Sequence, residues 1–255
     1  MHEWSSEQYL KFKNQRTQPA IDLAGRISGL KPRRVLDIGC GPGNSTAVLR
    51  GVFPDAEIIG IDSSEDMIEK ARGTYPDMRF EVCDITETAE KMGKFDVIFS
   101  NACLQWVPDH ETLIPKLMSM LSDGGVLAVQ MPMNAQEPVF GIVDTSVREP
   151  EWGIDIAAAA KNGTLEPEEY YDILSSCSSG FDIWETVYSH PMPSVRAMVE
   201  WVKGTRLRPY LEQLDEDTAA RLERSIEKKA AEVYKKRADG NYIMRFRRFF
   251  FTAAK

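Results

Sequence analysis

Three histidines and four cysteines in 255 residues are few, and that scarcity is the first constraint on the chemistry. Cys40, Cys83, Cys103 and Cys177 form no C-x-x-C pair and stand at no ligand spacing from the histidines, which argues against a zinc site. A chain of this length can bury a substantial apolar core without disulfides, so reduced thiols and a cytoplasmic location are expected. Long apolar runs are also missing. Residues 1–31 open on charged and polar side chains, so neither a signal peptide nor a membrane anchor is expected. No repeat of fixed period and no low-complexity tract divides the chain. Positive charge is short as well, with 31 Lys and Arg against 39 Asp and Glu, a net charge of −8. That balance disfavours a broad nucleic-acid surface and favours a small-molecule partner; oligomeric state is not legible.

What is present is an alternation of strand and helix patterns. Apolar runs of strand length fall at 35–38, 58–62, 79–83, 96–100 and 126–131, the last after the turn Asp123-Gly124-Gly125. Between them, residues 46–53 read as a helix stopped by Pro54, Ser63 or Ser64 caps a second, and Leu113, Leu117 and Leu121 mark a third. Such alternation predicts an α/β fold, a mainly parallel sheet with helices on both faces. The expected organisation is one domain over 1–255. It has an N-terminal helical cover at 1–32, a ligand-binding core at 33–131, an insertion at 132–165 and a helical cap at 190–240 between the last two strands. Residues 166–176 read as a helix, 181–188 as a strand and 242–252 as the final strand. In the cap, Val195, Met198, Val199 and Val202 share one face; Ala219, Leu222, Ile226, Ala230 and Val233 share another. Asp215 supplies the start of the longer helix and Gly240 the stop, with Lys235, Lys236 and Arg237 expected in its last turn. A block in that position would lie over the carboxyl ends of the strands.

The chemistry concentrates at those carboxyl ends. Gly39-x-Gly41-x-Gly43 follows a strand ending near Asp37 and precedes a helix, so backbone can approach a ligand without Cβ clashes. Asp62 ends the second strand 19 residues after Gly43, where a carboxylate can accept both hydroxyls of a ribose. The spacing is not the G-x-G-x-x-G of dinucleotide sites, because Asn44 stands where the last glycine would fall. Asp84 and Ile85, after the third strand, offer a carboxylate to an adenine amino group and an apolar side chain to its ring; Asn101 ends the fourth strand. Acid-terminated strands suit a ligand carrying an ammonium, a sulfonium, a ribose and an adenine better than one carrying phosphates.

Residues 33–131 resemble the class I S-adenosylmethionine-dependent methyltransferases, a resemblance that implies their Rossmann-like, seven-stranded sheet with the last strand antiparallel. Further runs extend the likeness along the chain: Tyr9-Leu10-x-Phe12 with Arg16, the stretch from Asn101 to His110, Ala128 to Pro132, Tyr170 to Leu174, and Leu207-Arg208-Pro209. They carry it to the members that esterify a carboxylate of trans-aconitate, a small tricarboxylate, giving a monomethyl ester and S-adenosylhomocysteine. The implied cofactor contacts are Gly39, Cys40, Gly41, Asp62, Ser63, Met67, Asp84, Ile85 and Asn101, with Tyr9 and Arg16 on an N-terminal helix and Arg16 pairing the methionine carboxylate. Insertion residues 149–164 match the pattern poorly.

An acceptor carboxylate is ionised at neutral pH, so no catalytic acid or base and no metal is expected. It does require cationic and hydroxyl donors. Arg206, Arg208, Tyr170, Tyr171 and Trp106 are the candidates, against the plain alternatives of solvated arginines and core aromatics. Arg245, Arg247 and Arg248 read as a solvated or acceptor-facing edge. A methyltransferase for another small acceptor and a non-catalytic nucleotide-binding module stay open as alternatives.

Overall fold

The computed structural model describes residues 13–86, 92–157 and 163–255, with side chains from Thr17 onward. Seven strands form one sheet: β1 (Arg34–Ile38), β2 (Glu57–Asp62), β3 (Arg79–Val82), β4 (Phe95–Asn101), β5 (Leu121–Pro132), β6 (Gly180–Met192) and β7 (Tyr242–Ala254), in the order β3-β2-β1-β4-β5-β7-β6. Neighbours from β3 to β5 pair in parallel, and β7 runs antiparallel to β5. Val35, Leu36, Ile38, Val97, Ile98 and Phe99 are buried throughout, as the continuous apolar runs of a doubly covered parallel strand require. The order of connection reverses between β1 and β4, which sets a crevice at the carboxyl ends of those two strands.

Among the described residues the α-helices are α1 (Lys13–Arg26), α2 (Asn44–Val52), α3 (Glu65–Thr74), α4 (His110–Ser119), α5 (Pro138–Ser146), α6 (Pro167–Cys177), α7 (Val195–Lys203), α8 (Arg208–Leu211) and α9 (Glu216–Val233). Ser64 rather than Ser63 caps α3, its hydroxyl accepting from the Met67 N–H. The Asp123-Gly124-Gly125 turn survives inside β5 as an irregularity. Register jumps there, Phe95 facing Leu121 while Val97 faces Val126, and Gly124 takes φ +74°.

The chain divides into two compact units, Met1–Pro132 with Asn162–Thr186 and Arg248–Lys255, and Met133–Lys161 with Val187–Arg247. In the first, successive β5 residues address opposite faces. Met131 Sδ lies 3.6 Å from the hydroxyl of Tyr170 on α6, whose ring stacks on Phe249. On the other face Phe250, in register with Gln130, stacks on Trp184, over which lies Arg26 of α1. In the second unit α5, α7 and α9 pack together, burying Val139, Val143, Met198, Val202, Leu222 and Ile226. Asp215 caps α9 by accepting from the Thr218 N–H at 2.9 Å. Buried Glu223 is bridged by Arg196 and Lys203 at 2.6 Å each, so that carboxylate is not left as a lone charge in the core.

Three expectations are corrected, and the insertion gains an element. Leu121 opens β5 rather than continuing the α4 stripe. The insertion at 132–165 contains α5, whose first residue is Pro138, a position where a missing N–H costs nothing. Helix α9 ends at Val233, so Lys235, Lys236 and Arg237 lie beyond it and Val233 is exposed. Gly240 makes a separate turn at φ +87°. No helix among the described residues is long and apolar enough to cross a membrane.

His110 Nε2 donates to the Leu104 carbonyl at 2.8 Å, which leaves Nδ1 to accept from the Tyr170 hydroxyl at 2.5 Å. That hydroxyl in turn accepts from the Leu165 N–H at 3.3 Å. Tyr170→Phe strands two buried groups and is expected to lower stability by about 1–3 kcal/mol, read from urea denaturation; an unchanged midpoint would show the network to be dispensable.

Candidate cofactor site

The loop between β1 and α2 leans on the end of β2. Gly39 and Cys40 both donate their N–H to the Ile61 carbonyl, at 2.8 and 2.9 Å. Gly41 donates to Asp62 Oδ2 at 3.0 Å, and Ser64 to Asp62 Oδ1 at 2.9 Å. Backbone amides on two sides therefore fix this carboxylate at the strand end. Gly39, Gly41 and Gly43 stand at φ +68°, +53° and +91°, where a Cβ is strained. At Gly39 the constraint is double. A Cβ there would lie 2.2 Å from both Cβ and Sγ of Cys103, so the loops after β1 and β4 touch through the missing side chain.

Asp37, on β1, is fully buried. Its Oδ2 accepts from the Ser45 and Thr46 hydroxyls at 2.6 Å each, while Oδ1 has no partner among the described residues. Burial raises its pKa from 3.8 to about 6, against the two hydroxyls and with help from the Asp62 charge. Asp62 is also raised by burial. Desolvation and then the nearby aspartates push the Cys40 and Cys103 thiols up, so both sulfurs are neutral. Cys40 packs with Ile68, Ala71 and Phe80, and its contribution at the loop is backbone. Among the described residues no lysine or arginine pairs with the aspartates at these strand ends, and two further buried polar atoms have no hydrogen-bond partner among those residues, Asn44 Nδ2 and Asn101 Oδ1. Acceptor atoms predominate, in a cradle shaped by glycine. This fits a ligand that brings hydroxyl and ammonium donors and a positive charge.

Past β4 the backbone is strained. Ala102 has φ +55° and Asp109 φ +59°, unusual values for non-glycine residues. The Ala102 N–H is held by the Gln130 carbonyl at 2.9 Å and its carbonyl by Gln105 Nε2 at 2.8 Å. Asp109 caps α4, and burial lowers the pKa of His110, keeping the imidazole neutral inside the network described above. Trp106, 38% exposed, ends a short 3-10 turn in this loop.

The other candidates divide. Met67 and Ile85 are buried beside the β2 and β3 ends, Ser63 is exposed, and exposed Asp84 accepts from the N–H and hydroxyl of Thr86 at 2.8 and 2.7 Å. The Cys83 N–H, bonded to the Asp62 carbonyl at 2.9 Å, ties that segment to β2. Tyr9 and the Arg16 side chain lie outside the described residues. Tyr170, expected to reach an acceptor, is instead fully buried with its hydroxyl taken; Tyr171 is 57% exposed and packs edge-on against Phe181. In the second unit Arg206 grips Asp144 with Nε and Nη2 at 2.8 and 2.9 Å, so its bidentate fork is engaged within the protein. Arg208 donates to Glu212 at 2.7 Å. Sequence reasoning gave no role to Cys103 or Gln130, nor a buried position to Arg248. Arg248 was findable by period: Met244, Phe246, Arg248 and Phe250 alternate along β7, which puts an arginine in an apolar stripe.

Residues 31–176 match a family model described as a methyltransferase domain. The whole chain aligns with the trans-aconitate 2-methyltransferase of Variovorax paradoxus at 41% identity, covering 99% of that protein. It aligns equally with the one from Afipia carboxidovorans, at 43% identity and 100% coverage of both chains. Among solved structures, the YcgJ protein of Bacillus subtilis superposes with a TM-score of 0.59 at 14% identity, over 93% of this chain and 98% of that one. Phosphoethanolamine N-methyltransferase 2 of Haemonchus contortus, in complex with S-adenosyl-L-methionine, gives 0.54 at 18% identity, over 92% of this chain and 52% of the other. At such identities the two structures speak to fold.

Two predictions follow from the geometry. Gly39→Ala is expected to lower the melting temperature, with about 1–2 kcal/mol from the left-handed backbone alone and more from the Cys103 contact. Adding Cys103→Gly should recover the second part but not the first; no recovery would show that the contact does not matter. Asp37 holds its proton in the folded chain at pH values where the unfolded chain has released it. Its favourable contribution is therefore complete below about pH 4 and lost as pH rises through about 6. Asp37→Asn removes that slope, so its stability relative to the natural protein is expected to climb between pH 4 and 7; a pH-independent difference in thermal unfolding would contradict the assignment.

Proposed function

The chain belongs to the methyltransferases, in the trans-aconitate 2-methyltransferase family, and from that membership we propose that it transfers the methyl group of S-adenosylmethionine to a carboxylate of trans-aconitate. The products are a monomethyl ester and S-adenosylhomocysteine. Full-length identity above 40% with relatives of that name carries the reading, and the acceptor-rich, glycine-lined strand ends support the donor half of it.

When bound, S-adenosylmethionine supplies an electrophilic methyl group on a sulfonium. The residues of this chain that would hold it are the backbone of Gly39, Cys40 and Gly41, the Asp62 carboxylate for the ribose hydroxyls with Ser63 beside it, Met67 and Ile85 for the adenine ring, Asp84 for its amino group and Asn101 toward the amino-acid end. Tyr9 and Arg16 belong to the same proposal. Trp106 is the acceptor-side candidate of the β4 loop.

An acceptor carboxylate arrives ionised, so no residue has to remove a proton. His110, buried and bonded at both ring nitrogens, positions the loop after β4 instead of acting as a base. Rate enhancement then rests on alignment of the reacting oxygen, methyl carbon and sulfur away from water, worth about 7–11 kcal/mol when well oriented. Asp37 and Asp62 contribute a negative field that favours a cationic ligand and loses that preference once the ligand becomes neutral, which helps product leave.

Incubation of the protein with S-adenosylmethionine and trans-aconitate should yield the monomethyl ester by mass spectrometry. No ester at saturating cofactor, with S-adenosylhomocysteine still binding in calorimetry, would move the acceptor elsewhere; binding with no turnover on any tested acceptor would make the protein a binding module. Asp62→Ala removes a charge-assisted partner of the ribose and is expected to weaken S-adenosylhomocysteine binding about ten- to a hundredfold, and unchanged affinity would exclude Asp62 from the site.

A further inference from the structure

A second group of buried polar side chains lies on the other half of the sheet. In register, Asn101 of β4 stands beside Gln130 of β5, Gln130 faces Phe250 of β7, and Pro132 faces Arg248. Residues two apart on a strand share a face, so Asn101, Gln130 and Arg248 all project from one side of the sheet. Gln130 is fully buried and Arg248 is 4% exposed. Arg248 Nη1 donates to Gln130 Oε1 at 3.0 Å. Because a guanidinium can only donate, the amide oxygen must face it and the amide nitrogen must turn away. That nitrogen, Gln130 Nε2, is buried and has no hydrogen-bond partner among the described residues. A buried donor with nothing to donate to costs about 1–3 kcal/mol, and here it sits beside a guanidinium taken almost wholly out of water.

We propose that Gln130 Nε2 and the Arg248 guanidinium form a carboxylate subsite that receives one of the carboxylates of the acceptor that does not react. The proposal rests on the trans-aconitate reading above. Guanidinium and amide donors together match the in-plane acceptor geometry of a carboxylate, and a tricarboxylate esterified at one position keeps two others to be held. Sheet order gives the direction. Asp84, Asp62 and Asp37 follow or end β3, β2 and β1, while Gln130 and Arg248 belong to β5 and β7. A polyanionic acceptor is repelled by the first half and drawn to the second. Asn101, on the intervening strand β4, has an acceptor oxygen with no partner among the described residues, opposite in polarity to its neighbour Gln130.

The methionine carboxylate of the cofactor has the same chemistry, and calorimetry separates the two. S-adenosylhomocysteine is titrated into the protein, and trans-aconitate into the protein saturated with it, for the natural chain, Arg248→Met, Arg248→Lys and Gln130→Glu. Arg248→Met is expected to weaken trans-aconitate about tenfold or more with S-adenosylhomocysteine affinity unchanged, and Arg248→Lys to restore part of the loss. Gln130→Glu, which keeps shape and pairs with Arg248, should weaken trans-aconitate similarly by placing a negative charge at the subsite. It decides the matter if Arg248→Met does not fold. Unchanged trans-aconitate affinity in a folded variant overturns the proposal. Weakened S-adenosylhomocysteine with trans-aconitate unaffected overturns the acceptor assignment in favour of the cofactor's carboxylate. A natural protein that binds S-adenosylhomocysteine but not trans-aconitate fails the parent reading, and this one with it.

Discussion

The close approach of Gly39 to Cys103 is the contact on which the site depends. Two strands that neighbour each other in the sheet, β1 and β4, send loops outward from their carboxyl ends, and only a residue without Cβ lets those loops meet. The same residue needs a left-handed backbone to deliver its N–H, and that of Cys40, to the Ile61 carbonyl of β2. Three strand ends are thereby joined at one glycine. The strain at Ala102 and Asp109 belongs to the same arrangement. The β4 loop must turn sharply to bring Cys103 under Gly39, and it is held there by the Gln130 carbonyl on one side and the His110–Tyr170 pair on the other.

Around that joint the charges are placed at a cost to the free protein. A fully buried Asp37 with one unpartnered oxygen, and a half-buried Asp62 within its field, are less comfortable ionised than in water. Neither is neutralised by a lysine or arginine among the described residues. Hydroxyls of Ser45 and Thr46 and the amides of Gly41 and Ser64 orient the two carboxylates without cancelling their charge. Hydrogen-bond donors of this kind fix direction while leaving the field to act on a ligand, which an ion pair would not. The two thiols nearby are kept protonated by the same burial and the same charges, so the loop carries sulfur without a nucleophile.

How much of this could be read from the sequence depended on whether a residue's role was local. The parallel core was legible because each buried strand is a short apolar run with helix periodicity beside it, and Asp62 because its distance from the glycines is set by one strand-helix-strand unit. Ser64 and Asp215 were legible as caps for the same reason. Helix α5 was not, since it is short and opens on Pro138, and tertiary burial of Val139, Phe140 and Val143 rather than a local signal makes the helix. Tyr170 and Arg206 were misjudged because their partners are distant in sequence: His110 lies 60 residues from Tyr170 and Asp144 62 residues from Arg206. A tyrosine or arginine carries the same local signal whether its polar tip meets a ligand or another side chain. Family resemblance names the types present, not which of them the fold has already used.

The sheet order then sorts the site by charge. Connections through β1, β2 and β3 build outward in one direction, and β4, β5 and β7 in the other, so each half inherits whatever polarity its own strand ends carry. One half carries Asp37, Asp62 and Asp84 at or beside its strand ends; the other carries the amides of Asn101 and Gln130 and the buried Arg248. A reaction between a sulfonium and a carboxylate needs this division, because a uniform field that attracts one partner repels the other. The seam falls between β1 and β4, where Gly39 and Cys103 approach through the missing Cβ. Partners of opposite charge, each held by its own half, would be brought together there by the same fields that bind them. On the proposed reading the acceptor arrives ionised, and two polarities kept apart by the width of a strand take the place of an acid or base.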